Sequence, residues 1–205
     1  MNRPRIYARP NKPLTIPVRK RGKVTPLEAF EAFEAPEVIT VDKFTECHVT
    51  PDDVARRMVE YLGPQGDYLT LEPSAGTGQL ARALIASGHS ICELTMIERH
   101  NTLANGLRRI GPTLNRCFLE YADEVKGKAE FPRIIMNPPF KQVRAHIKAA
   151  LSLLRPNGHD TATLVALVPS TFRHDECEHL EDLPEDTFAT ARVRTKIVRV
   201  RRVQL

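Results

Sequence analysis

Residues 137 to 140 read Asn-Pro-Pro-Phe, directly after the apolar run Ile134-Ile135-Met136. Pro138 and Pro139 fix φ and lack backbone donors, so the carboxamide of Asn137 and the carbonyl of Pro138 are held stiffly as two acceptors at the end of a buried strand. Phe140 adds a flat apolar surface two residues on. An acceptor pair beside an aromatic plate suits a planar base that stacks on the ring and donates both N–H bonds of an exocyclic amine. The plainer alternative is a proline-rich turn whose phenylalanine packs into the core.

A second constellation is Glu72-Pro73-Ser74-Ala75-Gly76-Thr77-Gly78, between an apolar stretch and an amphipathic one. Its glycines permit a tight strand-to-helix turn and let a ligand approach the backbone where a Cβ would obstruct it. Gly76-x-Gly78-x-x-Ala81 also satisfies the dinucleotide-binding pattern, and Glu98 lies where a carboxylate would bind a ribose hydroxyl in either kind of protein. With the polar Glu72-Pro73-Ser74 approach and the later Asn137–Phe140 tetrapeptide, the chain resembles the S-adenosylmethionine-dependent amino-methyltransferases, above all the N6-adenine DNA methyltransferases. A dehydrogenase has no use for the tetrapeptide.

The resemblance covers most of residues 44 to 203 and implies a Rossmann-like methyltransferase fold. That fold is α/β: a mostly parallel seven-stranded sheet with helices on both faces and an antiparallel C-terminal strand. It implies S-adenosylmethionine as cofactor, with Glu72, Ser74, Ala75, Gly76 and Gly78 at the methionine moiety and Glu98 at the ribose. Phe44 and Thr50, in Phe44-Thr45-Glu46-Cys47-His48-Val49-Thr50-Pro51, would close over the methionine end. Asn137, Pro138, Pro139 and Phe140 would hold the target amine. The family places an acid after the third strand to bond the cofactor's adenine amine. This chain has Cys117 there, with Asp123, or less favourably Glu120, as the substitute. The implied activity is transfer of a methyl group to the N6 amine of a flipped-out adenine in DNA. An adenine in RNA, a glutamine amide on a protein, and an inactive cofactor-binding subunit or anti-restriction protein are the alternatives.

These residues need elements to hold them. Thr50-Pro51-Asp52-Asp53 reads as a helix start with Thr50 as cap, the apolar stripe Val54, Met58, Val59 and Leu62 continues it, and Gly63-Pro64 ends it. Downstream, short apolar runs alternate with amphipathic segments, the mark of βα units and a parallel sheet. Strands are predicted near 68 to 72, 91 to 97, 116 to 120, 133 to 136 and 162 to 168, and helices near 78 to 87, 101 to 110 and 143 to 154. A short helix is predicted over 27 to 35. Phe188 to Val203 predicts two antiparallel strands, or one with a bulge near Ile197-Val198.

The chain of 205 residues carries a formal charge of +5 that is strongly segregated. Eight cations from Arg3 to Lys23 precede the first acid, Glu28, and six from Arg192 to Arg202 end the chain, so every acid lies between the two blocks. Residues 1–36, basic and rich in proline, predict a flexible extension, and 37–205 a single domain without a separate target-recognition domain. Basic ends suggest contacts to nucleic acid, most of all DNA, made with the cleft beside Asn137–Phe140; solubility alone is the competing explanation. No apolar run is long enough to span a membrane, and no signal-peptide core stands at the start, so the protein is expected to be cytoplasmic and to make no membrane contact. Cys47, Cys92, Cys117 and Cys177 lack the spacing of a metal site or a disulfide framework. His174, Cys177 and His179 resemble metal ligands by type, but their acidic surroundings predict a solvated loop, and His146 is expected to pack or cap rather than act as a base. No metal is expected.

Overall fold

A computed structural model describes residues 49–188 and 192–204. The expected N-terminal extension, the helix over 27 to 35 and Phe44 lie outside the described residues.

The first helix, α1 (Asp52–Leu62), buries Val54, Ala55, Met58, Val59 and Leu62 along one face, with Asp52 and Asp53 at the positive end of its dipole. The capping residue is Pro51 rather than Thr50, whose hydroxyl is used elsewhere. Gly63, at φ 112°, ends the helix in a conformation that disfavours side chains.

Five short strands then alternate with helices. They are β1 (Thr70–Pro73), β2 (Leu94–Glu98), β3 (Thr113–Asn115), β4 (Arg133–Met136) and β5 (Thr161–Pro169), with α2 (Gln79–Ala86), α3 (Asn101–Leu107), α4 (Phe118–Val125) and α5 (Val143–Leu153) between them. The last two strands, β6 (Glu178–Leu183) and β7 (Thr195–Val203), complete a sheet of order β3-β2-β1-β4-β5-β7-β6. Neighbours from β3 to β5 run parallel, and β7 lies antiparallel to both β5 and β6.

Both faces of the sheet are covered, which is why β1 and β4 are buried at every position. Alternation along β4 divides the core: Ile134 and Met136 pack with Phe118 of α4 and Ile147 and Leu151 of α5, while Ile135 packs with α1 and α2. The strand ends after β1, β2 and β4 therefore open between two packed layers.

Several boundaries differ from expectation. The strand predicted at 116 to 120 lies at Thr113–Asn115, and most of the predicted stretch begins α4. Phe118 and Ala122, four apart and both buried, fix the helical period over a run too short to declare it. The second C-terminal antiparallel strand is β6, upstream of the expected pair and beginning at Glu178-His179, the end of the segment read as a loop. Being an edge strand, β6 is polar, and its ladder shifts register between His179 and Glu181 rather than in β7. Glu181 is held by the Arg57 Nε at 3.2 Å and the Tyr61 hydroxyl at 3.2 Å, both from α1.

The C-terminal cations are largely engaged within the fold. Arg199 pairs with Glu178 at 2.8 Å, Arg202 pairs with Glu176 at 2.8 Å and also donates to the carbonyl of Leu151, and Arg194 pairs with Glu185. This leaves exposed Arg192 and Arg201 as the more available charges of that block. Among the described residues, no helix is long and apolar enough to cross a membrane.

Candidate active site

The C-terminal ends of β1, β2 and β4 meet at a cleft of about 270 Å³. Of the residues singled out from sequence, it brings together Thr50, Glu72, Ser74, Ala75, Gly76, Glu98, Asn137 and Pro139. Gly78, Pro138 and Phe140 do not line the cleft, and Phe140 packs, half-buried, against the core layer that holds Ile135 and α1.

The loop after β1 is built from left-handed backbone. Ser74 and Gly76 have φ of 63° and 58°, and Gly78, the N-cap of α2, has φ of 85°. A Cβ on Gly78 would come within 2.8 Å of the Ile110 and Leu107 side chains, so the chain needs glycine there for packing as well as conformation. Arg82 ties the loop to α2 by donating to the carbonyl of Thr77 at 2.8 Å.

Glu98, only 6% exposed, joins two loops with one carboxylate. Its Oε2 accepts the Gly76 N–H at 2.9 Å and its Oε1 accepts the His100 N–H at 2.7 Å. The Asn115 side-chain amide donates to the Glu98 carbonyl at 2.9 Å and secures the strand end.

Glu72 is 1% exposed, and its Oε2 has no hydrogen-bond partner. Burial pushes this carboxyl up to about 8, with Glu98 adding to the effect and the Arg82 guanidinium and a backbone bond from Ala81 opposing it. A buried, partnerless carboxyl oxygen on a cleft wall is equipped to receive a cationic or hydrogen-donating ligand.

Asn137 sits at the end of β4, and its Nδ2 donates to Thr50 Oγ1 at 3.0 Å. This bond joins residues far apart in sequence and fixes which end of the amide accepts. Phe140 opens a short 3-10 turn, Phe140–Gln142, and meets Phe188 edge to face with ring centroids 6.2 Å apart. Phe188, buried in the connection between β6 and β7, gave no signal in sequence because only the tertiary fold brings it to Phe140.

His146 also reaches the cleft, on the first half of α5, and is 4% exposed. Its Nδ1 bonds the Gln142 carbonyl at 3.1 Å and its ring tilts against Phe118 at 5.7 Å, so packing is its structural role. Burial, aided by Arg99, holds the imidazole below its ordinary value against the Gln142 bond. Asp123 is a correction: it is exposed on α4 and outside the cleft, as is Glu120. The helical turn that replaces the expected strand carries both acids away. Cys117 lines the cleft instead, as the N-cap of α4, with no side-chain capping bond. Among the described residues, no three His, Cys, Asp or Glu side chains are grouped to hold a metal ion.

No protein-family model and no curated protein matches this chain. Solved structures do. A 23S rRNA methyltransferase, ErmE, superposes with a TM-score of 0.59 at 19% identity, over 76% of this chain and 70% of that one. The methyltransferase subunit of a type I restriction-modification system from Streptococcus thermophilus gives 0.60 at 16% identity, over 74% of this chain and 44% of that one. This is the Rossmann-like methyltransferase fold. A magnesium protoporphyrin IX methyltransferase from Synechocystis PCC 6803, with S-adenosylmethionine bound, shares the methyltransferase fold at a TM-score of 0.50 and 12% identity, over 74% of this chain and 77% of that one. In a methyltransferase fold the two loops joined by Glu98 and the Asn137 strand end lie at one end of the sheet, where α/β proteins of this architecture bind ligands.

Proposed function

We propose that this chain is an S-adenosylmethionine-dependent methyltransferase acting on the exocyclic N6 amine of adenine in DNA. The observation that carries the reading is the Asn137 carboxamide, anchored to Thr50 at the end of β4 beside a cleft walled by Glu72, the Gly76 loop and Glu98. The fit to the cofactor rests on the partnerless oxygen of buried Glu72 and on Glu98, whose carboxylate already accepts two N–H bonds at the β2 end. Glu72, Ser74, Ala75, Gly76 and Gly78 would hold its methionine part, Glu98 its ribose, and Cys117 with Phe118 its adenine. When bound, the cofactor supplies an electrophilic methyl group on a sulfonium.

An exocyclic amine is a weak nucleophile because its lone pair is delocalised into the ring. Asn137 Oδ1 and the Pro138 carbonyl would accept its two protons, favour pyramidal nitrogen and direct the lone pair at the methyl. Phe140 would stack on the base and offset part of the cost of unstacking it from a duplex. Positioning would supply the acceleration, and the proton shed by the methylated nitrogen would leave to water, so no general base is required. The likeness to a rRNA methyltransferase supports RNA as the second reading, since the same acceptors serve an amine in either nucleic acid.

Equilibrium titration with S-adenosylhomocysteine tests the cofactor half of the reading through Cys117. Cys117→Asp supplies both a helix cap and an acceptor for the adenine amine. The expected outcome is cofactor affinity about tenfold tighter and a gain of about 1 kcal/mol in stability. Tighter folding with unchanged or weaker affinity would place the cofactor's adenine away from α4.

A further inference from the structure

A second cavity, of about 350 Å³, opens past the end of β5 and is walled by the 170–177 segment, β6 and β7. Its charged lining is Arg173, Lys196 and Asp182, joined by His174, His179 and the hydroxyl-bearing Ser170. Lys196 is 8% exposed, although β7 here faces a cavity rather than an apolar layer. No carboxylate stands within 4.0 Å of Lys196, Arg173 or Arg144 among the described residues, whereas Arg194, Arg199 and Arg202 from the same C-terminal strand region are each paired with a glutamate. Asp182 stands opposite Lys196 in the β6–β7 ladder and is 3.1 Å from His179, but its carboxylate makes no ion pair with the Lys196 ammonium.

Lys196 is held below its ordinary value, first by burial and then by the neighbouring Arg173 charge, with Asp182 and Cys177 opposing. Two cations without a contacting carboxylate, crowded at one cavity, repel each other until an anion lies between them. The donors around them are arranged for that ligand. Arg173 directs part of its guanidinium to the Phe172 carbonyl at 2.8 Å, which fixes the side chain. His174 Nδ1 accepts the Glu176 N–H at 3.3 Å, which leaves Nε2 as the ring nitrogen that donates.

We propose that this cavity is a phosphate-binding subsite, formed by Lys196 and Arg173 with Ser170 and His174 as further donors. Its position suits a phosphodiester of the strand whose base enters the neighbouring cleft. Arg144, in the first turn of α5 and directly after the Phe140–Gln142 turn, donates to the Arg173 carbonyl at 3.5 Å and lies 5.8 Å from the Phe172 ring. The wall of the subsite is thus attached to the element that follows Asn137. The strand assignment rests on the function proposed above, while the anion site does not.

The test uses the full chain as wild type, Lys196→Met and Arg173→Met, with a fluorescein-labelled adenine-containing oligonucleotide followed by anisotropy and inorganic phosphate followed by calorimetry. S-adenosylhomocysteine affinity and melting temperature report on the integrity of the rest of the fold, and Lys196→Met, which keeps the length of the side chain and removes its charge, is expected to leave both intact. A strand phosphate predicts oligonucleotide affinity about five- to tenfold weaker in each variant, with the salt slope shallower by about 0.7 to 0.9 per lost contact. Phosphate binding lost in the variants with oligonucleotide binding unchanged would assign the site to free phosphate. Unchanged oligonucleotide slope together with no phosphate binding, or phosphate binding equal in wild type and Lys196→Met, overturns the proposal. Phosphate binding that depends on Lys196 in a protein that fails to bind S-adenosylhomocysteine would leave the subsite standing and remove the methyltransferase reading.

Discussion

Asn137→Ala is expected to lower methyl transfer by about a thousandfold or more while leaving S-adenosylhomocysteine affinity within about twofold. The substitution removes one of the two acceptors proposed for the target amine. It also removes the bond to Thr50 Oγ1, whose loss costs stability on the order of 1 kcal/mol. The separation of the two readouts is the informative part. Asn137 follows β4, whereas the residues proposed to hold the cofactor stand at the ends of β1 and β2 and at the start of α4, so its truncation acts on the amine and not on the donor. Single-turnover transfer with saturating cofactor measures the first quantity and calorimetry the second. Retained transfer would show that the amide does not position the nucleophile, and loss of both together would show that it supports the cofactor cleft instead.

The second large effect concerns Glu72, whose carboxyl is raised from 4.5 to about 8 by burial. Because the folded value is the higher one, the folded chain holds more protons than the unfolded chain between these limits. The stability associated with the protonated group is fully present below about 4.5 and is lost as the pH rises through about 8. Relative to Glu72→Gln, wild type is therefore expected to lose stability on the order of 5 kcal/mol across that window and to change little above it. Denaturant unfolding of the two proteins from pH 4.5 to 9 measures this difference directly. A cationic ligand at the cleft favours the ionised carboxylate, so cofactor binding should release a proton near neutral pH and tighten as the pH rises. Calorimetry in buffers of different ionisation enthalpy detects that proton. The release should vanish in Glu72→Gln, and an equal release in the variant would assign it to another group.

The parallel core of the fold was legible because strands buried on both faces read as unbroken apolar runs. Ile134-Ile135-Met136 and Ala162 to Val168 declare β4 and β5 almost to the residue. Polar or very short elements were not legible in the same way. Glu178–Leu183 carries an edge strand whose solvent face and ion pairs demand charged side chains, and three residues of β3 are too few for any period. The misplaced strand at Cys117-Phe118-Leu119 follows from the same limit, and Asp123, expected just after that strand, stands exposed on α4 outside the cleft.

At the site, residues whose backbone must do something unusual announced themselves. Gly76 and Gly78 mark the left-handed loop, and Pro138 and Pro139 mark the rigid strand end. Contacts made only by folding did not. The Thr50–Asn137 bond, the Phe140–Phe188 pair and the place of His146 against Phe118 join elements whose separation in sequence carries no local signal. Thr50 illustrates the difference, since a helix-capping pattern stood in plain view while its hydroxyl serves Asn137.

The decisive experiment is incubation of the purified chain with methyl-labelled S-adenosylmethionine and, in parallel, adenine-containing duplex DNA, single-stranded DNA and RNA. Label is expected in DNA, recovered as N6-methyladenine after digestion and absent with Asn137→Ala. Measurable cofactor binding with no label in any of the three nucleic acids would contradict it.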